Sequence, residues 1–224
     1  MSTGQAGSRG VPHHTLAIVG CGGFGREVAW LASEALGSQA SLLFAVDGMD
    51  PGEDSVDGIP VLRLEALAAV ERPVSAVIAI SDGPVRQRIA GRLDGLGIAA
   101  ATLVHPGVAM SRSVELGGGS IVCAGSIMTT NIRVGRHVHV NLACTIGHDA
   151  VLEDFCTLAP GVHVSGNVHV GEGAFIGTGA SIINGSRGRP LRIGPGAVVA
   201  AGACVTKDVE DGAMVAGVPA TRRR

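Results

Sequence analysis

Eighteen residues separate His148 from Gly166, and Asp149 directly follows His148. An imidazole that titrates near neutrality can take a proton from a nucleophile, and a carboxylate can orient it. A glycine amide, with no side chain in front of it, can donate to an oxyanion. This is the chemistry of acyl transfer, provided the fold brings residues 148 and 166 together. A second candidate lies upstream, where Gly20, Gly22 and Gly25 spell G-x-G-x-x-G between an apolar run and a helical stretch. Backbone amides there, those of Gly23 and Phe24 included, suit a nucleotide pyrophosphate at a helix start, and Asp47 ends the next strand as a dinucleotide fingerprint requires. A tight turn without a ligand is the alternative. Ser81, Asp82 and Arg86 follow the third strand, where ligands enter an open parallel sheet; Asp82 equally suits a helix N-cap and Arg86 a solvated helix face.

The elements that must position these residues follow from an internal repeat. Aliphatic residues recur every six positions from Met110 through Leu116, Val122, Met128, Val134, Val140, Ile146, Leu152, Leu158, Val164, Val170 and Ile176 to Ile182. The series resumes five residues out of step at Ile193, Val199 and Val205, so a loop around Gly185 to Arg192 is extruded. Four residues after each aliphatic comes a second, smaller inward residue, such as Val138, Cys144, Ala150, Cys156, Val162, Val168, Ala174 and Ala180. A period of six fits a short strand plus a turn, repeated as the side of a prism; three sides make a coil, and coils stack at about the 4.8 Å strand spacing. His148 then falls at a corner, one coil from Gly166.

The first hundred residues alternate differently. Strands are expected at 15–20, 42–47 and 74–80, helices at 26–36, 63–70 and 85–96, and a closing strand at 99–104, which together describe a small parallel α/β sheet. His105-Pro106 marks the passage into the repeat. About ninety residues make half of a doubly wound domain, which argues against a nicotinamide redox enzyme despite the glycine loop.

Composition narrows the function further. A net charge of −2 lacks the basic footprint of a nucleic-acid binder. Every apolar run is interrupted well short of the ~20 residues of a membrane span. The stretch Met1 to His14 reads as a polar, Gly-containing leader or cloning remnant, and the protein is expected in the cytoplasm. The five cysteines form no C-x-x-C pair, so free thiols are expected.

The segment from Val140 to Val170, V-N-L-A-C-T-I-G-H-D-A-V-L-E-D-F-C-T-L-A-P-G-V-H-V-S-G-N-V-H-V, resembles the core of the bacterial hexapeptide-repeat sugar acetyltransferases. These are related to sialic acid O-acetyltransferase and the sugar-nucleotide N-acetyltransferases. G-C-G-G-F-G-R-E-V at 20–28, I-A-I-S-D-G at 78–83, H-P-G-V at 105–108 and the ending G-A-C-V-T-K-D-V…A-G-V-P-A extend the resemblance over residues 15–220. It implies a Rossmann-like sugar-nucleotide-binding domain over 15–104 and a left-handed parallel β-helix over 105–220, assembled as a trimer with active sites between subunits. It also implies acetyl transfer from acetyl-CoA to an amino group of a nucleotide-linked sugar, or to a sugar hydroxyl. His148 would be the base, Asp149 its orienter, Gly166 the oxyanion donor and Asn141 an acceptor-sugar ligand, although Asn141 also suits a turn. Thr157 occupies the place of a second family histidine beside the thioester, with His139 one coil below as its substitute. Phe24 replaces a nucleotide-contacting histidine. By position, Thr178 and Gly179 would meet the pantetheine arm. Lys207, with Arg187, Arg189 and Arg192 of the loop, would meet coenzyme phosphates, a solvated loop being the alternative. Two competing readings are a zinc hydratase built on His139, His163 and His169, whose spacing does not stack in eighteen-residue coils, and a non-catalytic nucleotide-sugar-binding module.

Overall fold

A computed structural model describes residues 14–48, 54–71 and 73–223. The leader expected over residues 1–14 lies, apart from His14, outside the described residues.

The chain opens with β1 (His14–Val19), α1 (Gly23–Leu36), β2 (Ala40–Val46), the hairpin β3 (Ser55–Val56) and β4 (Ile59–Arg63), β5 (Val74–Ile78), α2 (Gly83–Gly95) and β6 (Ala99–Ala100). Their sheet order is β3-β4-β2-β1-β5-β6, parallel except for the β3–β4 hairpin. Alternating residues of β1 divide its two faces. Leu16 and Ile18 pack under α1, whereas Ala17 and Val19 pack under α2 and a 3-10 segment at Leu64–Ala69, where a full helix was expected. The strand expected over 99–104 is divided, because Ala99–Ala100 completes this sheet while Leu103–Val104 already pairs with the prism strand Ile121–Val122.

From Leu103 onward, two- and three-residue strands stack into three sheets, parallel except where the last strand, Thr221–Arg222, runs antiparallel to Met214–Ala216. This is a left-handed parallel β-helix. The first face runs through Leu103, Ile121, His139, Thr157, Phe175 and Val198, the second through Ala109, Ile127, Thr145, His163, Ser181 and Cys204, and the third through Glu115, Arg133, Val151, His169 and Arg192. Register steps by eighteen, as in His139↔Thr157, until the extruded loop adds five and Phe175 pairs with Val198. Both expected inward series fill one continuous core from Val122 to Val215. The exception is Met110, 39 % exposed, in the first complete coil, where no further coil covers it on that face. Corners turn through left-handed backbone, held even by non-glycine residues: Asn131, Ala143, Asp149, Phe155 and Asn167 have φ between 53° and 58°.

The N-terminal sheet sits on the first face of the prism, with Leu103, Ile121 and Cys123 joining the α1-side core. Arg86 locks that contact. It is fully buried, with a guanidinium that donates to Ile80 O and Ser81 O on its own side and to His137 O, Phe155 O, Cys156 O and Thr157 Oγ1 on the prism. Burial lowers its pKa to about 10. Replacing Arg86 with methionine leaves several buried carbonyls without a donor, and each such group costs about 1–3 kcal/mol. The urea midpoint should therefore fall by an amount equivalent to at least about 3 kcal/mol; a change under about 0.5 kcal/mol would fit only a surface arginine.

The same junction seals two histidines. His139, 1 % exposed, donates from Nε2 to Ile78 O at 2.8 Å, which fixes the neutral tautomer and leaves Nδ1 without a partner among the described residues. His137, 2 % exposed, stacks on Phe155, and neither ring nitrogen is bonded among the described residues. Burial, then positive neighbours (Arg86 for both rings, Arg136 for His137), pushes both pKa values below the ordinary histidine range; Asp94 and Asp154 partly oppose this at His137. The unfolded chain therefore binds more protons than the folded one below about pH 6.5, and stability falls as the pH drops through that value. Each ring contributes up to about 1.4 kcal/mol per pH unit. Denaturation midpoints at pH 7.5 and 5.5 should show this loss, and His139→Gln should shrink it; an unaltered slope in that variant would contradict the assignment.

Candidate active site

The corner between the second and third faces carries His148. Strand Thr145–Ile146 delivers the chain to this corner, Gly147 and Asp149 turn it, and Val151–Leu152 carries it away. Consecutive side chains of a strand point apart, but the left-handed φ of 58° at Asp149 brings its carboxylate back to the neighbouring ring. Asp149 Oδ2 lies 2.8 Å from His148 Nδ1. Asn131, one coil below at the same corner and also left-handed, donates from Nδ2 to Asp149 Oδ1 at 3.4 Å. Hydrogen bonds from His148 and then Asn131, helped by the charge of Arg187, hold the Asp149 carboxyl below the usual carboxylate range. An ionised carboxylate only accepts, so the Nδ1 of His148 carries the proton, and in the neutral ring Nε2 presents its lone pair.

Gly166 receives that nitrogen. A Cβ at residue 166 would lie 2.5 Å from His148 Nε2, and the next two nearest atoms belong to the same ring. Only glycine leaves room for the imidazole above the backbone. Gly147 permits the approach of the backbones themselves, since a Cβ there would stand 2.6 Å from Gly166 N. Among the described residues the Gly166 N–H has no hydrogen-bond partner. A base with its lone pair fixed, lying over an unengaged amide at an exposed corner, is an arrangement for acyl transfer to an incoming nucleophile.

Three of the five cysteines are poorly suited to covalent relay. Cys123, Cys144 and Cys156 are buried, and burial pushes their thiols up to about 12, 11 and 12.

Comparison with known proteins decides the family. Over 208 residues, 91% of this chain and 93% of its counterpart, the sequence is 34% identical to GDP-perosamine N-acetyltransferase of Escherichia coli O157:H7. The chain belongs to the hexapeptide-repeat sugar acetyltransferase family. Residues 15–93 match the family model of the PglD N-terminal domain. Among solved structures, WeeI from Acinetobacter baumannii AYE superposes with a TM-score of 0.89 at 33% identity, covering 94% of this chain and 100% of that one. The acetyltransferase domain of PglB from Neisseria gonorrhoeae FA1090, in complex with acetyl coenzyme A, gives 0.84 at 34% identity, covering 93% and 98%.

The other residues singled out in this acyltransferase separate into open and engaged groups. Gly22 and Gly23 face open space at the start of α1, whereas Gly25 is required by packing, because a Cβ there would lie 2.0 Å from Gly20 O. Gly20 itself adopts φ 102°. Ser81 and Asp82 are exposed at the carboxyl end of β5, with Asp82 capping α2 through Val85 N at 2.8 Å. Thr178, Gly179 and Lys207 are exposed.

Several expectations are corrected. Arg86 neither binds substrate nor lies in solvent, because the inter-sheet carbonyls take its donors. Asp47 pairs with Arg92 and, at 3.4 Å, with Arg88, both on α2, so its carboxylate is not directed to a ribose. Thr157 is 4 % exposed and bonds Ser81 O and Arg86, and His139 is sealed beside it, so neither reaches a coenzyme. Phe24 and Asn141 stand apart from these: both are partly exposed, Phe24 with its ring on His139 at a centroid distance of 5.1 Å, and Asn141 with Oδ1 accepting from Leu142 N at 2.7 Å, the turn role the sequence allows beside an acceptor contact. Of the hydratase trio, His163 meets Thr145 Oγ1 and His169 meets Glu153, on different faces from His139. No group of three metal-ligating side chains gathers among the described residues.

Sequence reasoning missed Asn131, which counting eighteen back from Asp149 finds.

Proposed function

We propose that this enzyme transfers the acetyl group of acetyl-CoA to an amino group of a nucleotide-linked sugar, with His148 as general base. The observation that carries the reading is His148 Nε2 held over Gly166 while Asp149 accepts from Nδ1. The amine attacks the thioester carbonyl as Nε2 takes its proton, and the oxyanion is received by the Gly166 N–H. Collapse expels the coenzyme A thiolate, which the imidazolium reprotonates. The relatives' names support the substrates: one is a GDP-sugar N-acetyltransferase, and another was solved with acetyl coenzyme A.

The reading divides the chain into a sugar-nucleotide-holding part over 15–104, using Gly22, Gly23, Ser81 and Asp82, and a transferring part over 105–220. It also requires a trimer. In support, the N-terminal sheet covers the first face and the His137–Phe155 corner, whereas His148 occupies the corner between the other two faces. A sugar held by one subunit would then reach the base of a neighbour, with Thr178 and Gly179 of another prism walling the pantetheine arm. No described helix is long and apolar enough to cross a membrane, and both substrates belong to the cytoplasm, where we place the enzyme.

Thiol release from acetyl-CoA, measured across nucleotide-linked amino sugars and their counterparts lacking the amine, tests this. Turnover is expected only with amines; release with none of them would reject the reading.

A further inference from the structure

Two outward positions of the prism hold up the ligand-bearing end of the N-terminal sheet. His139 and Thr157 are register partners on adjacent coils of the first face, and both are buried. The His139 ring touches Phe24 of the glycine loop and donates to Ile78 O at the end of β5, so one ring supports both segments. Thr157 Oγ1 donates to Ser81 O at 3.2 Å and accepts from Arg86 at 3.0 Å. Arg86 in turn donates to Ser81 O at 3.1 Å and to Ile80 O at 2.6 Å. Buried donors therefore grip the carbonyls of Ile78, Ile80 and Ser81, while the Ser81 and Asp82 residues stay exposed. The glycine loop shares this footing, because a Cβ on Gly20 would stand 3.2 Å from Ala79 O and Ile80 Cγ1.

We infer that His139 and Thr157 are positioning residues for acceptor binding: the first face of the prism fixes the glycine loop and the Ser81–Asp82 turn in the arrangement that receives the nucleotide-linked sugar. Loops at the carboxyl ends of strands are ordinarily the mobile part of an open α/β sheet. Here the turn after β5 is tied down by bonds whose alternative is an unpaired buried carbonyl. Arg86 already joins sheet and prism through other carbonyls. What Thr157 adds is a second donor on the one carbonyl that links Ser81 to Asp82. A loop ordered beforehand does not have to be ordered by its ligand, so this anchoring acts on acceptor affinity. It leaves the transfer step alone, since His148 stands at the corner between the other two faces.

The inference rests on the proposed placing of the acceptor at Gly22, Gly23, Ser81 and Asp82, and steady-state kinetics of the full chain test it. Thr157→Val keeps the shape of the side chain and removes the hydroxyl; Thr157→Ser keeps the hydroxyl and removes the methyl. Thr157→Val should raise the acceptor KM about tenfold, with kcat and the acetyl-CoA KM within about twofold of the parent, and Thr157→Ser should restore the parent value. A role in packing alone would reverse that order, serine being the worse. His139→Leu, which loses the bond to Ile78 O, should raise the same KM; if it does not fold, the Thr157 pair still decides. An acceptor KM unchanged in Thr157→Val, or raised equally in both Thr157 variants, overturns the positioning role although the transferase stands. Calorimetric titration with guanosine, uridine and thymidine diphosphates gives a readout apart from turnover, and the diphosphate that the parent binds should bind more weakly to Thr157→Val. Absence of turnover with every nucleotide amino sugar would instead bring down the underlying function.

Discussion

His148→Ala is expected to lower kcat by about 10²–10⁴ while the fold and both KM values stay near those of the parent enzyme, because general-base assistance acts on the reacting proton and not on the bound ground state. The structural side of this expectation is direct. The His148 side chain is 59% exposed at a corner, so truncating it leaves no cavity in the aliphatic core. Its partner Asp149 is itself about half exposed and turns through its own backbone, so the corner stays. Thermal unfolding should overlay that of the parent. Unchanged turnover, measured as thiol release at saturating substrates, would remove His148 from the mechanism.

Gly166→Ala is expected to be almost as damaging, by a different route. The backbone at 166 lies outside the left-handed region, so alanine is not strained there by its φ. The added methyl instead meets the His148 ring at 2.5 Å, and an exposed ring yields by swinging away. The amide donor remains while the base is displaced, and kcat should fall by about 10²-fold or more with stability retained. Because both changes remove one function, adding Gly166→Ala to His148→Ala should cost nothing further in kcat. A large additional loss in the double variant would mean that residue 166 acts apart from the imidazole.

Much of this architecture is legible from the hexad alone. A strand plus a turn fixes the period, the period fixes which aliphatics face inward, and an eighteen-residue coil places His148 beside Gly166 before any coordinates exist. The five-residue slip after Ile182 likewise foretells the extruded loop. What the period does not contain is the N-terminal sheet lying on the first face. That contact buries His139 and Thr157, two outward positions that the repeat alone assigns to solvent or coenzyme. Arg86 is illegible for the same reason, since its partners on the prism are mostly main-chain carbonyls from positions 51 to 70 residues away, and carbonyls have no sequence signature. Asp47 satisfies a dinucleotide pattern by position, yet two arginines of α2 capture it. The β3–β4 hairpin did carry a signal, Asp57-Gly58, in the form of a two-residue hairpin turn.

The central claim is direct acetyl transfer, assisted by one imidazole, with no acetylated enzyme between donor and acceptor. Single-turnover mixing with acetyl-labelled acetyl-CoA and a nucleotide-linked amino sugar, followed by mass analysis of both protein and sugar, addresses it most directly. The account predicts the label on the sugar nitrogen at the rate of thiol release and none on the protein. Label retained on a protein side chain, or transfer at the parent rate by the His148→Ala enzyme, would contradict it.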